Sequence, residues 1–298
     1  MSDSAALRWD GVSKSYGETK ALDGFSLEVP KGSVFGLLGR NGTGKTTAIR
    51  ILLGLLRPAA GRSEVLGEDS LSLSRGVRQR LGYLSEEPFP VDDLPMPYLL
   101  RYLSAFFDDW DEARVARLGE KLRVVQDRPL SKMSLGERRK AELFATLAPD
   151  PEVLVLDDPW VGIDAASRRE FLWTALDLAR EQGKTILFTS HILTDVERVA
   201  DRVAFLRGGS IFLQGELDEV KARSKRLVVE GVADAVLDSL AVPGEVSRTR
   251  SNGTLVLTTT AFQTAVLDRI RASAPDARVE DLNLEEIFCE VAGKDAAP

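Results

Sequence analysis

Between residues 39 and 46 the chain reads Gly39-Arg40-Asn41-Gly42-Thr43-Gly44-Lys45-Thr46, a glycine-rich loop that closes on a lysine and a hydroxyl. Glycines let successive backbone N–H groups turn inward around phosphate oxygens, and the helix that follows adds the positive end of its dipole. Lys45 then reaches the outer phosphates, and Thr46 offers its hydroxyl to Mg²⁺. Thr47 follows in the same helix start. An apolar stretch, SVFGLLG, runs into the loop and a helix-like TTAIRILLGLL runs out of it, which is the strand, loop and helix setting that phosphate binding of this kind requires.

A cation among phosphates needs a carboxylate. The apolar strand Val153-Leu154-Val155-Leu156 ends in Asp157, where phosphate-loop proteins place one, so Asp157 is the expected metal ligand. Two roles are open to Asp158: orienting or deprotonating an attacking water from the strand end, or capping the turn before Pro159. His191, the only histidine, follows the apolar TILFTS. That strand end brings a polar side chain toward a γ-phosphate, and a surface histidine is the plainer alternative. Further back, Ser134-Leu135-Gly136-Glu137-Arg138-Arg139-Lys140 opens a helix with Ser134 at its N-cap. It reads as a capped helix and no more, or as a second phosphate-binding helix terminus. One chain cannot easily present both termini to one nucleotide, so the second reading implies a dimer.

These residues need elements to hold them. Residues 5 to 84 alternate short apolar stretches with turns and predict a sheet with a buried central strand. Residues 96 to 148 have helical periodicity, broken by a Pro-containing turn around Asp127 to Ser134, which makes a helical subdomain of about 88–148. From residue 151, VLVLDD, AASRREFLWTALDLAREQ, TILFTS and ILTDVERVA alternate as strand, helix, strand, helix. Their continuous apolar runs are those of parallel strands covered on both faces. A hairpin-like VAFLRGGSIFLQG turns at Gly208 and Gly209, and the charged ELDEVKARSKR then marks a boundary. Beyond it, RLVVEG, a helix, VSRTR, a turn at Asn252-Gly253, TLVLTTT, a helix, RVEDL and a last helix make a small α+β unit. The expected domains are 1–217 and 226–298.

Composition sets outer bounds. The 298 residues, 44% of them hydrophobic, suffice for one large core or two domains. Lys and Arg number 39 against 46 Asp and Glu, with no long basic run, so nucleic acid is not an expected partner. Cys289 stands alone, which excludes an internal disulfide and suits a reducing compartment. MSDSAALRWD lacks a signal-peptide pattern, and no apolar run approaches the roughly 20 residues a bilayer span needs. The expected address is cytosolic, with any membrane role running through a partner.

Taken together, the motifs resemble those of ATP-binding-cassette (ABC) ATPases over residues 5 to 215. The resemblance implies an α/β phosphate-loop ATPase core, a mixed sheet plus helical subdomain, followed by a small α+β C-terminal domain. It implies ATP and Mg²⁺ as cofactors and a second nucleotide-binding domain as partner, in a homodimer or heterodimer. In that family ATP is sandwiched between the phosphate loop of one subunit and the signature segment of the other, so Ser134 and Gly136, with Glu137 beside them, would act in trans. Tyr16 matches the aromatic that stacks on adenine, although a Tyr before Gly17 also suits a turn. Gly162-Ile163-Asp164 matches the loop that crosses the dimer interface, and Asp164 alone would suit an N-cap. ERRKAELFATLAPDPEVLVLDDP and SHILTDVERVADRVAFLRGGSIFLQGEL resemble bacterial exporters whose ATPase and permease are separate chains. That implies a cytoplasmic subunit, peripheral at the inner face of the membrane through its permease. The C-terminal LNLEEIFCEVAG resembles an accessory domain, to which regulation, dimer support and permease contact are all open.

Four positions depart from the family's usual residues. Asp158 stands where a glutamate commonly serves as base and is one methylene shorter, so slow hydrolysis is expected. Glu86 stands where a glutamine contacts Mg²⁺ and water, and a carboxylate can still ligate the metal. Leu135 replaces a glycine and Glu137 a glutamine in the signature. These departures leave as an alternative a catalytically weak, regulatory or scaffolding subunit; a separate alternative, outside transport, is a soluble relative in DNA repair or translation. The latter would bring paired cassettes or a long coiled coil, and neither is visible. No Asn-Lys-x-Asp motif for guanine is present. Pro88 to Phe107, with Phe89, Met96, Tyr98, Tyr102 and Phe106, is the expected permease seat; the same side chains would equally serve as subdomain core.

Overall fold

The computed structural model describes residues 5–89, 93–159, 168, 183–190, 192–230, 241–251 and 253–292. Contacts divide them into two compact units, Met1–Ala200 with Leu206–Ile211, and Asp201–Phe205 with Phe212–Pro298. Residues 201–205 and 212–217, expected with the first domain, thus group by contact with the second.

In the first unit β1 (Ala5–Tyr16) and β2 (Thr19–Pro30) form an antiparallel hairpin that ends with Tyr16 opposite Thr19. On β2, Phe25, Leu27 and Val29 are buried and Ser26 and Glu28 are exposed, the alternation of a sheet with one wet face. Next come β3 (Val34–Leu38), α1 (Lys45–Leu52), β4 (Ala60–Val65), the short β5 (Glu68–Asp69), α2 (Arg75–Gln79) and β6 (Leu81–Leu84). The first sheet has the order β2-β1-β4-β5. Trp9 fastens it to α1: its indole N–H donates to the Ala48 carbonyl at 2.9 Å, and its ring meets Phe25 edge-on at 5.6 Å.

The helical subdomain follows as α3 (Met96–Ser104), α4 (Glu112–Leu122) and α5 (Leu135–Leu147). The Pro-containing stretch is a short 3-10 turn, Leu130–Lys132. Helix α5 packs on both α3 and α4, and its residues from Ala141 to Leu147 are all buried. Then β7 (Val153–Leu156) and β8 (Thr185–Ser190) enter the second sheet, where β3, β8, β7 and β6 run parallel in that order. Every residue of β3, β7 and β8 is buried. Each such Val or Leu removed from water contributes about 1.5–3 kcal/mol, which accounts for the lack of alternation. The expected helix AASRREFLWTALDLAREQ lies outside the described residues except at Arg168.

Strands β9 (Arg202–Arg207) and β10 (Ser210–Glu216) turn at Gly208 and Gly209, both at positive φ. The charged segment read as a boundary is a helix, Leu217–Arg223, with Leu217 and Val220 buried. In the second unit β11 (Lys225–Glu230), β12 (Glu245–Ser251), β13 (Thr254–Thr259) and β14 (Arg278–Asp281) form an antiparallel sheet of order β12-β13-β11-β14. Leu227, Val229, Leu255 and Leu257 pack there on Val266 and Ile270 of the helix Thr264–Ser273 as a core of their own. The expected helix after RLVVEG, and Asn252, lie outside the described residues. Among the described residues no helix is long and apolar enough to cross a membrane.

Candidate nucleotide-binding and catalytic site

Strand register gathers the chemistry at one edge. Leu38 pairs with Ser190, Leu156 with Phe188 and Leu84 with Leu156, so the loop after β3, Asp157 after β7, Thr189 on β8 and Ser85 after β6 emerge together at the carboxyl ends of parallel strands. That is where open α/β sheets bind ligands. Gly44 begins α1 at φ 106°, and a Cβ there would lie 2.3 Å from the Ala21 carbonyl oxygen. Only glycine fits such a place. Within the loop the Thr43 hydroxyl donates to the Arg40 carbonyl at 2.8 Å. The Lys45 ammonium donates to the carbonyls of Gly39 at 2.7 Å and Arg40 at 3.0 Å. Burial pushes the pKa of Lys45 down, against the charges of Asp158, Asp157 and Glu86, which hold it up.

A cleft of about 410 Å³ opens here, with Gly44, Lys45, Thr46 and Thr47 at its base. Glu86, Asp157 and Asp158 line it too, as do Tyr16, Thr19, Ala21, Asn41 and Gly42. Tyr16 is 53% exposed, with the Lys14 ammonium over its ring at 5.9 Å from the centroid, and it sits at the hairpin turn before Gly17, at φ 59°. Arg40 and Thr43 instead line a second cleft, together with Lys20 and the Gly208-Gly209 turn.

One buried hydroxyl ties the Asp157 carboxylate to the Asp158 backbone. Thr189 Oγ1 donates to Asp157 Oδ1 at 2.8 Å and accepts the Asp158 N–H at 2.8 Å. Asp157 Oδ2 is buried with no hydrogen-bond partner among the described residues. Burial raises the pKa of Asp157; hydrogen bonding with Thr189 and Thr46 opposes that, Asp158 adds to it, and Lys45 opposes it. A carboxylate oxygen left orphaned near a threonine hydroxyl fits a hard cation. No group of three or more His, Cys, Asp or Glu that could hold a metal occurs among the described residues. Mg²⁺ suits such a sparse donor set, since it takes one or two protein ligands and completes its shell with phosphates and water. Asp158 itself is buried at φ 43°, a left-handed conformation that Asp tolerates better than most residues.

His191 and Gly162-Ile163-Asp164 lie outside the described residues. Ser134 caps α5 as expected and lies in a capping box: its N–H and hydroxyl each donate to Glu137 Oε2 at 2.8 Å, and its Oγ accepts the Glu137 N–H at 3.4 Å. Arg128 Nη2 donates to the other Glu137 oxygen at 3.0 Å. Neither Ser134 nor Gly136 lines the 410 Å³ cleft. Hydrogen bonds from Ser134 hold the pKa of Glu137 below its ordinary 4.5. The folded pKa being depressed, the stabilisation is complete above the unfolded value and is lost as pH falls through the folded one. In thermal melts the advantage of the native chain over Glu137→Gln should therefore shrink steadily as pH drops below 4.5. A pH-independent difference would show that the carboxylate charge contributes nothing to the cap.

Sequence reasoning missed Thr189, Thr19 and Ala21. For Thr189 a signal existed, since a strand of buried apolar residues that closes on Thr-Ser next to a strand ending in Asp-Asp places a hydroxyl beside the carboxylates. Thr19 and Ala21 carry no such mark and reach the cleft only through the β1–β2 hairpin.

A glycine-rich loop, a buried lysine and an orphaned carboxylate at the ends of parallel strands define a phosphate-loop nucleoside-triphosphate site. The chain matches the ABC transporter family over residues 22–161. It is 33% identical over 314 residues to the daunorubicin resistance ATP-binding protein DrrA3 of Streptomyces coeruleorubidus, covering 99% of this chain and 98% of that one. It is 32% identical over 310 residues to the Nod factor export ATP-binding protein I of Paraburkholderia xenovorans, covering 98% of each. In fold it resembles a solved ATP-binding subunit of an ABC transporter, with a TM-score of 0.66 at 24% identity over 73% of this chain and 92% of that one. The chain belongs to the ATP-binding proteins of ABC transporters. It is an ATPase subunit of that α/β cassette fold.

Proposed function

We propose that this subunit hydrolyses MgATP to drive a separate permease in export, with its ATP held between two facing copies of the cassette. The observation that carries the reading is the single cleft that collects Lys45, Thr46, Glu86, Asp157 and Asp158. The loop Gly39, Arg40, Asn41, Gly42, Thr43 and Gly44, which lends the cleft Asn41, Gly42 and Gly44, would wrap the phosphates with backbone N–H groups, Lys45 would neutralise their outer oxygens, and Tyr16 would stack on the base. Thr46 and Asp157, with Glu86 near them, would hold Mg²⁺, which neutralises charge on the phosphates. Asp158 orients and deprotonates the attacking water, and His191, by its place in the sequence after TILFTS, is assigned to the γ-phosphate. Since Ser134 and Gly136 do not line that cleft, their helix end would meet the nucleotide of a facing subunit, a contact to which the sequence motif also assigns Asp164. Export is supported by the Nod factor relative, which is an export ATP-binding protein.

The proposed domains are 1–217, the nucleotide-binding domain with its helical subdomain at about 88–148, and 226–298, an accessory domain supported by its separate core, with residues 201–205 and 212–217 grouping by contact with the latter. The subunit sits at the inner face of the membrane through its permease. On α3 the two readings of the aromatic stretch divide by residue. Met96 and Leu99 are core, while Tyr98, Tyr102 and Phe106 are 64, 56 and 53% exposed. Spacing of four places Tyr98 and Tyr102 on one stripe of α3, and the ring of Phe106, just past the helix end, meets that of Tyr102 at 5.1 Å. That stripe is the permease seat. Purification with the accompanying membrane protein, followed by an ATPase assay of the pair, should give Mg²⁺-dependent turnover; a pair that binds ATP without turnover would sink the motor reading. Tyr98→Glu with Tyr102→Glu should cut co-purification about tenfold or more while shifting the melting temperature little, because exposed substitutions usually stay within about 0.5 kcal/mol. Undiminished co-purification would remove the stripe from the interface.

A further inference from the structure

The segment between β6 and α3 carries Glu86, and charged side chains of α5 grip it. Arg139 Nη1 donates to the Ser85 carbonyl at 3.1 Å and Nη2 donates to the Glu86 carbonyl. The same Nη1 meets Glu142 Oε2 at 2.9 Å. Glu142 Oε1 accepts the Phe89 N–H at 3.1 Å and Arg138 Nε at 3.1 Å, while Arg138 Nη2 reaches the Phe89 carbonyl at 3.3 Å. Arg139 is 3% and Glu142 0% exposed.

Burying such charges is a weak route to stability, since well-packed apolar residues often do as well or better. What the charges add is direction. A rigid guanidinium fork on two successive carbonyls fixes the peptide between them, and that peptide belongs to Glu86. Arg139 and Glu142 lie five and eight residues after Ser134, about 7.5 and 12 Å along a stiff helix.

We propose that Arg139 and Glu142 are positioning residues that couple the two nucleotide contacts of one chain. When the Ser134 end of α5 engages a partner's ATP, the helix carries the fork with it. The Ser85–Phe89 backbone follows, and Glu86 moves into its working place in the chain's own cleft. This rests on ATP being shared between two facing copies, as proposed above.

A double-mutant cycle on the full-length chain tests it, with kcat and KM for ATP measured in Arg139→Lys, Glu86→Ala and the pair. Arg139→Lys keeps the charge and loses the fork. It should lower kcat roughly ten- to a hundredfold, the cost of a displacement of about 1 Å, with KM within about threefold. In the Glu86→Ala background the same change should alter kcat by less than about twofold. An equal loss in both backgrounds overturns the proposal, because a merely structural residue acts regardless of Glu86. If Arg139→Lys does not fold, Glu142→Gln, which keeps an oxygen for the Phe89 N–H, is read in the same cycle. Lack of turnover in the unmodified chain would instead overturn the ATPase reading, and amide exchange then decides this proposal. Slowing of exchange at residues 85–89 by MgATP that disappears in the variant supports the coupling; an identical response in both overturns it.

Discussion

Lys45→Ala should lower ATP turnover at least about 10²–10³-fold, the cost of losing one preorganised donor to developing charge. The side chain is only 7% exposed and bonds two carbonyls of its own loop. Its ammonium is therefore already held at the mouth of the phosphate cradle before nucleotide arrives. Because burial disfavours that charge, removing it should leave the nucleotide-free fold nearly as stable, so the melting temperature separates loss of chemistry from loss of structure. Equilibrium binding of ATP together with steady-state turnover checks the prediction. Retained turnover would mean that the cleft is not where phosphate is bound.

Asp158→Glu should act in the opposite direction, raising turnover by up to about a hundredfold. A carboxylate one methylene short leaves the general base displaced by about 1 Å or more from the water it must reach, and errors of that size cost about that factor. The backbone explains what opposes the change. Asp158 sits at φ 43°, and left-handed geometry costs a residue with an ordinary side chain roughly 1–2 kcal/mol, Asp and Asn less. The variant should accordingly hydrolyse ATP faster and melt a few degrees lower. An unchanged or lower rate would take the role of base away from Asp158.

How much of this was legible in the sequence depended on whether a residue's role is local. The loop around Lys45 and the strand before Asp157 announce themselves by type and order, since packing alone rarely calls for three closely spaced glycines before a lysine or for a carboxylate at the end of an apolar run. Ser134 was readable as a cap because capping is a three-residue affair. Residues that act across long sequence separations left little trace, for Thr189 no more than the Thr-Ser end of its strand. Thr189 binds residues more than thirty positions away, and the partners of Arg139 at Ser85 and Glu86 lie 54 and 53 positions from it. On α3, composition alone could not divide core from surface, and helical phase did so, with Leu99 inward and Tyr98 outward. The charged ELDEVKARSKR looked like a linker because two buried apolar residues in a short helix weigh little against its charges.

If one nucleotide is held by Lys45 of one copy and the Ser134 helix end of the other, as proposed, mixing two inactive variants will restore a working site. Lys45→Ala and Ser134→Arg, each alone, disable both sites of a two-fold dimer. In a mixed dimer the two lesions fall on the same site, leaving the other site complete. Equimolar mixing should therefore restore about a quarter of the unmodified ATP occlusion, half the dimers being mixed with one intact site each. Two folded variants that recover nothing on mixing would contradict the shared site.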